Sequence, residues 1–314
     1  MATAFIFPGQ GSQAVGMGRD LAEAFPAARH VFQEVDDALS QKLFKLMGDG
    51  PESELTLTEN AQPALMAVSM AVVRVLEEQS GRPITKLCGY VAGHSLGEYS
   101  ALAAAGALTI ADAARLLKLR GQAMQAAVPV GEGAMAALLG VDLDQAKAIA
   151  QEAAAGEVCD LANDNGGGQI VLSGSAAAIA RAVALAPGKG AKRAIPLSVS
   201  APFHCALMAP AARAMETALG RASVLAPRVP LVANVTASPG SDPDEIRAQL
   251  VEQVCAMVRW RESVEAMAGL GVTRYVECGS GKVLAGLVKR IAKDSEARSV
   301  GAPADVEAVL KELV

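Results

Sequence analysis

Apolar positions along the chain follow two periods. Ala4-Phe5-Ile6-Phe7 is a short unbroken apolar run closed by Pro8-Gly9, the pattern of a strand covered on both faces. Helical periodicity covers about Asp20 to Leu46. It returns over Thr58 to Glu78, where Gln62-Pro63 is expected in the opening turn. Gly81-Arg82-Pro83 breaks the chain, and Leu87 to Ala92 reads as a second buried strand. That strand ends at Gly93-His94-Ser95-Leu96-Gly97, and a helix follows over Glu98 to Ala105. Ile110 to Ala127 is helical, with Thr109 and Asp112 spaced like a capping box.

From Gly131 the texture changes. Strand signals at Ala134 to Leu139, Val158 to Ala162, Ile170 to Ser173 and Ala194 to Ser198 alternate with helical patterns at Leu143 to Ala155 and Ala176 to Leu185. This β-α-β-β-α-β order is ferredoxin-like and fits an inserted subdomain over residues 129–199. The larger domain, residues 1–128 and 200–314, then resumes. Its second part carries helices at Met208 to Leu219, Pro243 to Met257 and Val283 to Ala292, and strands at Leu231 to Asn234 and Tyr275 to Cys278. Alternating strands and helices predict an α/β fold with a mostly parallel sheet.

Composition narrows the function. Hydrophobic residues make up 52% and charged residues 19% of 314, which excludes a disordered chain. Aromatics are 3% and 28 basic residues face 33 acidic ones, so no nucleic-acid surface is expected. A bilayer span needs about 20 apolar residues. The nearest stretch, Ala101 to Ala114, is interrupted by Gly106, Thr109 and Asp112. With no basic leader at Met1-Ala2-Thr3-Ala4-Phe5, a soluble cytoplasmic protein without a membrane partner is expected. The five cysteines are odd in number and none form C-x-x-C, which argues against a disulfide framework and a zinc site.

The sharpest chemical signal is G-x-S-x-G at Gly93, Ser95 and Gly97, between a strand and a helix. That context is a nucleophile elbow, with the serine hydroxyl raised at the sheet edge and a helix N-terminus behind it. The serine needs a base, and the chain has three histidines. His30 lies among charged helical neighbours, and His94 adjoins Ser95 on a turn that points the two side chains apart. His204 remains as the base. Its orienting partner stays open: Asp160 and Asp164 lie between serine and histidine in chain order, and a backbone carbonyl would serve equally. Gly9-Gln10-Gly11 can offer one oxyanion N–H and Leu96 another. The same loop lacks the last glycine of G-x-G-x-x-G, so it is not read as a phosphate loop.

Arg120 separates substrates. Ala113, Leu116, Leu117, Arg120, Met124 and Ala127 form one helical stripe, opposite Arg115, Lys118, Gln122 and Gln125. No acid lies three or four residues away. A guanidinium buried without an anion is costly, and a carboxylate matches its fork with two hydrogen bonds. A distant Asp or Glu would also satisfy it.

Together, Phe7-Pro8-Gly9-Gln10-Gly11-Ser12-Gln13, Gln62-Pro63-Ala64, Gly93-His94-Ser95-Leu96-Gly97-Glu98, Arg120, His204-Cys205-Ala206-Leu207-Met208 and Glu277-Cys278-Gly279-Ser280-Gly281-Lys282 closely resemble the malonyl-CoA:acyl carrier protein transacylase family of bacterial fatty-acid synthesis. The resemblance runs through essentially the whole chain. It implies an α/β-hydrolase-like large domain and a ping-pong transfer without metal or redox cofactor. In that scheme Ser95, activated by His204, takes a malonyl group from malonyl-CoA and passes it to acyl carrier protein. The resemblance also implies Gln10 and Leu96 as oxyanion donors, the Gln253 carbonyl as orienter of His204, and Arg120 with Gln62 at the malonyl carboxylate. It places Asn165 near the pantetheine path and Phe203 against an α-methyl group. Met257, Cys278 and Ser280 depart from the family pattern. An acidic carrier protein is expected on Lys189, Lys192 and Arg193 or on Lys282, Lys289 and Arg290, with the enzyme a monomer. A serine hydrolase, a polyketide-synthase or malonate-decarboxylase acyltransferase, and a carrier-binding module are the rival readings.

Overall fold

A computed structural model describes residues 2–313, so Met1 and Val314, the outer ends of the expected large domain, lie outside the described residues. The chain opens with β1 (Ala2–Phe7), α1 (Arg19–Ala24), α2 (Pro26–Leu39), α3 (Leu43–Asp49), α4 (Glu52–Leu55) and α5 (Thr58–Ser80). It continues with α6 (Ile84–Leu87), β2 (Tyr90–Gly93), α7 (Gly97–Ala104) and α8 (Ile110–Ala127). The middle holds β3 (Gly133–Leu139), α9 (Leu143–Ala154), β4 (Cys159–Asp164), β5 (Gln169–Ser175), α10 (Ala176–Leu185) and β6 (Arg193–Pro196). The last part is α11 (Ala209–Arg221), β7 (Leu231–Val232), β8 (Pro239–Gly240), α12 (Pro243–Glu252), α13 (Trp260–Gly269), β9 (Val272–Cys278), α14 (Val283–Ile291), β10 (Glu296–Val300) and α15 (Pro303–Leu313).

These elements build two sheets. The larger has the order β10-β9-β1-β2-β7-β8 and is parallel except for β8. Phe5 and Phe7 of β1 enter one apolar core while Ala4 and Ile6 enter another on the opposite face. That two-sided burial is why β1 is apolar at every central position. The smaller sheet, β4-β5-β3-β6, is antiparallel throughout, as its β-α-β-β-α-β order predicts. It has its own core around Leu138, Ile149, Leu172 and Ile179.

Several boundaries differ from expectation. The helix expected over Asp20 to Leu46 is three helices. Proline disfavours helical backbone in the residue before it, and Phe25 is extended at φ −130°, ψ 120° ahead of Pro26. Ser40, left-handed at φ 48°, ends α2. Pro63 stands inside α5 rather than in its opening turn, because that helix begins five residues earlier, at Thr58. The segment expected as strand from Leu87 begins at Tyr90, after the short α6. The helix expected to run to Met257 ends at Glu252, which leaves Gln253 in a loop. Periodicity did not reveal α13, α15 or the polar edge strand β10. Thr109 caps α8 as expected, accepting from the Asp112 N–H at 3.0 Å. Among the described residues no helix is long and apolar enough to cross a membrane. All five cysteines are free.

Candidate active site

β2 delivers its C-terminal end to the elbow, and the two glycines explain the turn. A Cβ on Gly93 would lie 1.9 Å from the Gly97 carbonyl carbon, and one on Gly97 would lie 2.2 Å from the Phe7 oxygen. Only hydrogen fits at either place. Ser95 between them sits in the left-handed region at φ 53°, a conformation that costs a non-glycine residue energy and that the surrounding hydrogen bonds hold. Asn234, just past β7, supplies two of them. Its Oδ1 accepts from the Ser95 N–H at 2.8 Å, and its Nδ2 donates to the Gly93 carbonyl at 2.6 Å.

His204 comes from the loop after β6 and is also left-handed, at φ 59°. Its Nε2 lies 2.7 Å from Ser95 Oγ, and its Nδ1 lies 2.8 Å from the Gln253 carbonyl oxygen. A carbonyl only accepts, so Nδ1 carries the proton and Nε2 offers its lone pair to the serine. Burial, and then the nearby Arg120 charge, pull the His204 pKa down to about 3. The imidazole is therefore neutral near pH 7 and able to take a proton. The backbone carbonyl settles the choice left open by sequence. Asp160 accepts from the Ala206 N–H at 2.8 Å, and Asp164 pairs with Arg261 at 2.9 Å.

Arg120 is 1% exposed, as its place in the apolar stripe of α8 predicts. Its neighbour Gly121 lets α8 lie directly against the start of α5, where a Cβ would meet the Thr58 oxygen at 2.6 Å. That approach sets Arg120 beside Gln62. Nη1 donates to Gln62 Oε1 at 2.9 Å, and Nη2 donates to Gln253 Oε1 at 2.8 Å and to Ser95 Oγ at 3.2 Å. The Tyr99 ring centroid lies 5.8 Å from the guanidinium carbon. Among the described residues no carboxylate touches Arg120, and its Nε has no partner.

Ser95, His204, Arg120, Gln62, Gln10, Leu96 and Phe203 share one cavity of about 340 Å³. Met124, Met135, Leu197 and Val199 give it an apolar wall. Among the described residues no protein group accepts from the backbone N–H of Gln10 or Leu96, so both remain available to an oxyanion. Asn165 stands one residue further back than the cavity wall. It is buried beside His94, with its Oδ1 2.9 Å from His94 Nε2, and Asn163 lines the cavity instead. That contact ties Asn165 to His94, which lines the cavity and packs against Trp260. His30 is exposed on α2.

Sequence reasoning missed Asn234 and the side chains of Glu98 and Gln253. Gln253 Nε2 donates to Glu98 Oε2 at 2.6 Å and to the Ser95 carbonyl at 3.0 Å, so this residue supports both His204 and Arg120. A polar residue just beyond a parallel strand, as Asn234 is, was the available signal.

The arrangement can form and break an acyl ester on Ser95 and hold an anion near it. The family model described as "Acyl transferase domain" matches residues 4–304. The chain is 45% identical over 311 residues to the malonyl CoA-acyl carrier protein transacylase of Bacillus subtilis, covering 99% of this chain and 96% of that one. The crystal structure of acyl-carrier-protein-S-malonyltransferase from Bartonella henselae is 58% identical, with a TM-score of 0.97 over 100% of this chain and 99% of that one. A malonyl-transacylase solved in complex with its type II PKS acyl-carrier protein is 42% identical, with a TM-score of 0.96 over 99% and 100%. With a nucleophile elbow, its base and a full-length match all in agreement, this chain belongs to the acyl transferase domain family.

Proposed function

We propose that this acyl transferase moves a malonyl group from coenzyme A to the phosphopantetheine thiol of an acyl carrier protein, by a ping-pong path through malonyl-Ser95. The observation that carries this reading is a buried guanidinium, 3.2 Å from the nucleophile, with no carboxylate in contact among the described residues. An ester pocket has no use for such a group. A dicarboxylic thioester has one, because its free carboxylate can take the fork while its carbonyl faces Ser95.

In the first half-reaction Ser95 Oγ gives its proton to His204 Nε2 and bonds to the thioester carbon. The oxyanion rests on the N–H of Gln10, in the loop after β1, and that of Leu96, at the start of α7. Collapse breaks the carbon–sulfur bond, and the imidazolium returns its proton to the departing thiolate. The second half runs in reverse. The carrier thiol gives its proton to His204 and attacks the malonyl ester, and Ser95 leaves and recovers the proton. Phe203 in the cavity wall would crowd an α-methyl group, which favours malonyl over methylmalonyl.

Among the described residues Lys282, Lys289 and Arg290 have no carboxylate partner; in the other cluster Lys192 and Arg193 have none either, and only Lys189 is paired, with Glu152. Ser280 donates to the Ser12 carbonyl at 2.7 Å, next to Gln13 of the cavity. This favours the Lys282 cluster as the landing surface of an acidic carrier. All site groups come from one chain, which supports a monomeric catalytic unit. We also read residues 129–199 as an inserted subdomain within 1–128 and 200–314. We read the chain as cytoplasmic, in keeping with a reaction that draws on coenzyme A thioesters.

The test is incubation with malonyl-CoA, with and without the phosphopantetheine form of a carrier protein. Transfer that requires the acceptor supports the reading. Rapid release of free malonate without acceptor replaces it with a hydrolase. A polyketide carrier accepted in preference to a fatty-acid carrier would move the enzyme to polyketide synthesis.

A further inference from the structure

The nucleophile's own helix holds a carboxylate that neither transfer step uses. Glu98, in the first turn of α7, is 1% exposed. Its Oε2 accepts from Gln253 Nε2 at 2.6 Å and from the Asn234 N–H at 3.3 Å, and its Oε1 has no partner among the described residues. Among the described residues no cation touches it. The Gln253 carboxamide spans the space to Arg120, donating to Glu98 from Nε2 and accepting from Arg120 Nη2 at Oε1. Acid and guanidinium thus form an ion pair divided by a single amide. A carboxylate accepts and never donates, so Glu98 admits one orientation of that amide, with its oxygen toward Arg120. Had the acid sat directly on Arg120, it would have filled the fork that an incoming carboxylate needs.

We propose that Glu98 is a positioning residue for carboxylate selectivity: through Gln253 it orients Arg120 and serves as its resting counter-charge, which the substrate carboxylate takes over. The inference rests on the reading of Arg120 as a carboxylate clamp. When the substrate anion arrives, two negative groups share one buried guanidinium, and Glu98 is the one able to be neutralised. Burial pushes its pKa up to about 7, against the pull of the Gln253 and Asn234 hydrogen bonds and of the Arg120 charge. A carboxylate on Arg120 weakens that last pull, so Glu98 takes up a proton. The charged or titratable groups acting on Glu98 are Arg120 from α8 and Tyr99 from its own helix. Gln253 and Asn234, which face it from the loops, are neutral. His204, behind Gln253, is held uncharged.

Calorimetric titration of Ser95→Ala protein in two buffers of different ionisation enthalpy, at about pH 7.5, reads the proton count. The expected result is uptake of a fraction of a proton with malonyl-CoA, none with acetyl-CoA, and no uptake once Glu98→Gln is added. Equal counts for the two thioesters, or uptake that survives Glu98→Gln, overturns the proposal. The comparison of thioesters stands even if the double variant does not fold. In the otherwise intact enzyme, Glu98→Gln keeps an oxygen for Gln253 and Asn234 but removes the competing charge. Its malonyl-to-acetyl ratio of kcat/KM should rise about three- to tenfold, since charges across a buried amide still interact appreciably. A ratio that is unchanged or lower overturns the proposal, and acetyl transfer serves as the check on folding. Failure of the clamp reading itself is distinguishable, because Arg120→Ala would then depress both thioesters alike.

Discussion

If Arg120 holds the substrate carboxylate as proposed, replacing it by alanine isolates that recognition. Two charge-assisted hydrogen bonds at about 1.5–3 kcal/mol each are lost, together about 3–6 kcal/mol in the transition state. That corresponds to a fall of roughly two to four powers of ten in kcat/KM for malonyl-CoA. Acetyl-CoA has no carboxylate to lose. For it the variant removes the 3.2 Å contact to Ser95 Oγ and frees the Gln62 and Gln253 oxygens, and a loss within about tenfold is expected. Glu98, deprived of its counter-charge, protonates rather than remaining ionised. Arg120→Lys should fall between the two, since an ammonium cannot present two parallel donors. The assay is steady-state transfer to the carrier protein from each thioester, with the two ratios compared. Equal losses for malonyl and acetyl transfer would refute the carboxylate argument and leave Arg120 a structural group.

Other consequences follow from the same geometry. His204→Ala should slow acylation of Ser95 by roughly 10²–10⁴-fold in a rapid-quench measurement, since it removes the proton acceptor. Gly97→Ala, whose Cβ would meet the Phe7 and Pro8 carbonyl oxygens, should destabilise by about 1–3 kcal/mol in a thermal melt, while Gly286→Ala, with open space around it, should not lower Tm. His204 is held neutral down to about pH 3 when folded but protonates near 6.5 when unfolded, so its contribution is complete above about 6.5 and is lost as pH falls toward 3. Glu98 works oppositely between about 4.5 and 7, where the folded state holds its proton. Denaturant melts of wild type and His204→Ala should therefore converge as pH falls below about 6.5, and a constant difference would contradict the His204 assignment.

The groups legible in the sequence each left a local mark. Ser95 sits in a glycine pattern that only a tight elbow requires, His204 survives an elimination among three histidines, and Arg120 interrupts an apolar stripe. The β-α-β-β-α-β order of the smaller sheet was legible because each of its elements is short and clearly bounded. What was illegible depends on tertiary approach. Glu98 reads as an ordinary acid in a first helical turn, yet α7 is buried on every side, so its carboxylate must find partners from two distant loops. The fate of Asp160, which ties down the backbone beside His204 rather than the imidazole, had no local signature. Nor had β10, a short edge strand whose alternating Glu296, Arg298 and Val300 mix charge with burial.

The most direct test of the account is intact-protein mass spectrometry after a brief exposure to malonyl-CoA, followed by peptide mapping. The account predicts one malonyl group on Ser95, absent from Ser95→Ala and discharged when carrier thiol is added. A malonyl adduct that persists in Ser95→Ala, or transfer that proceeds with no covalent intermediate, would contradict it.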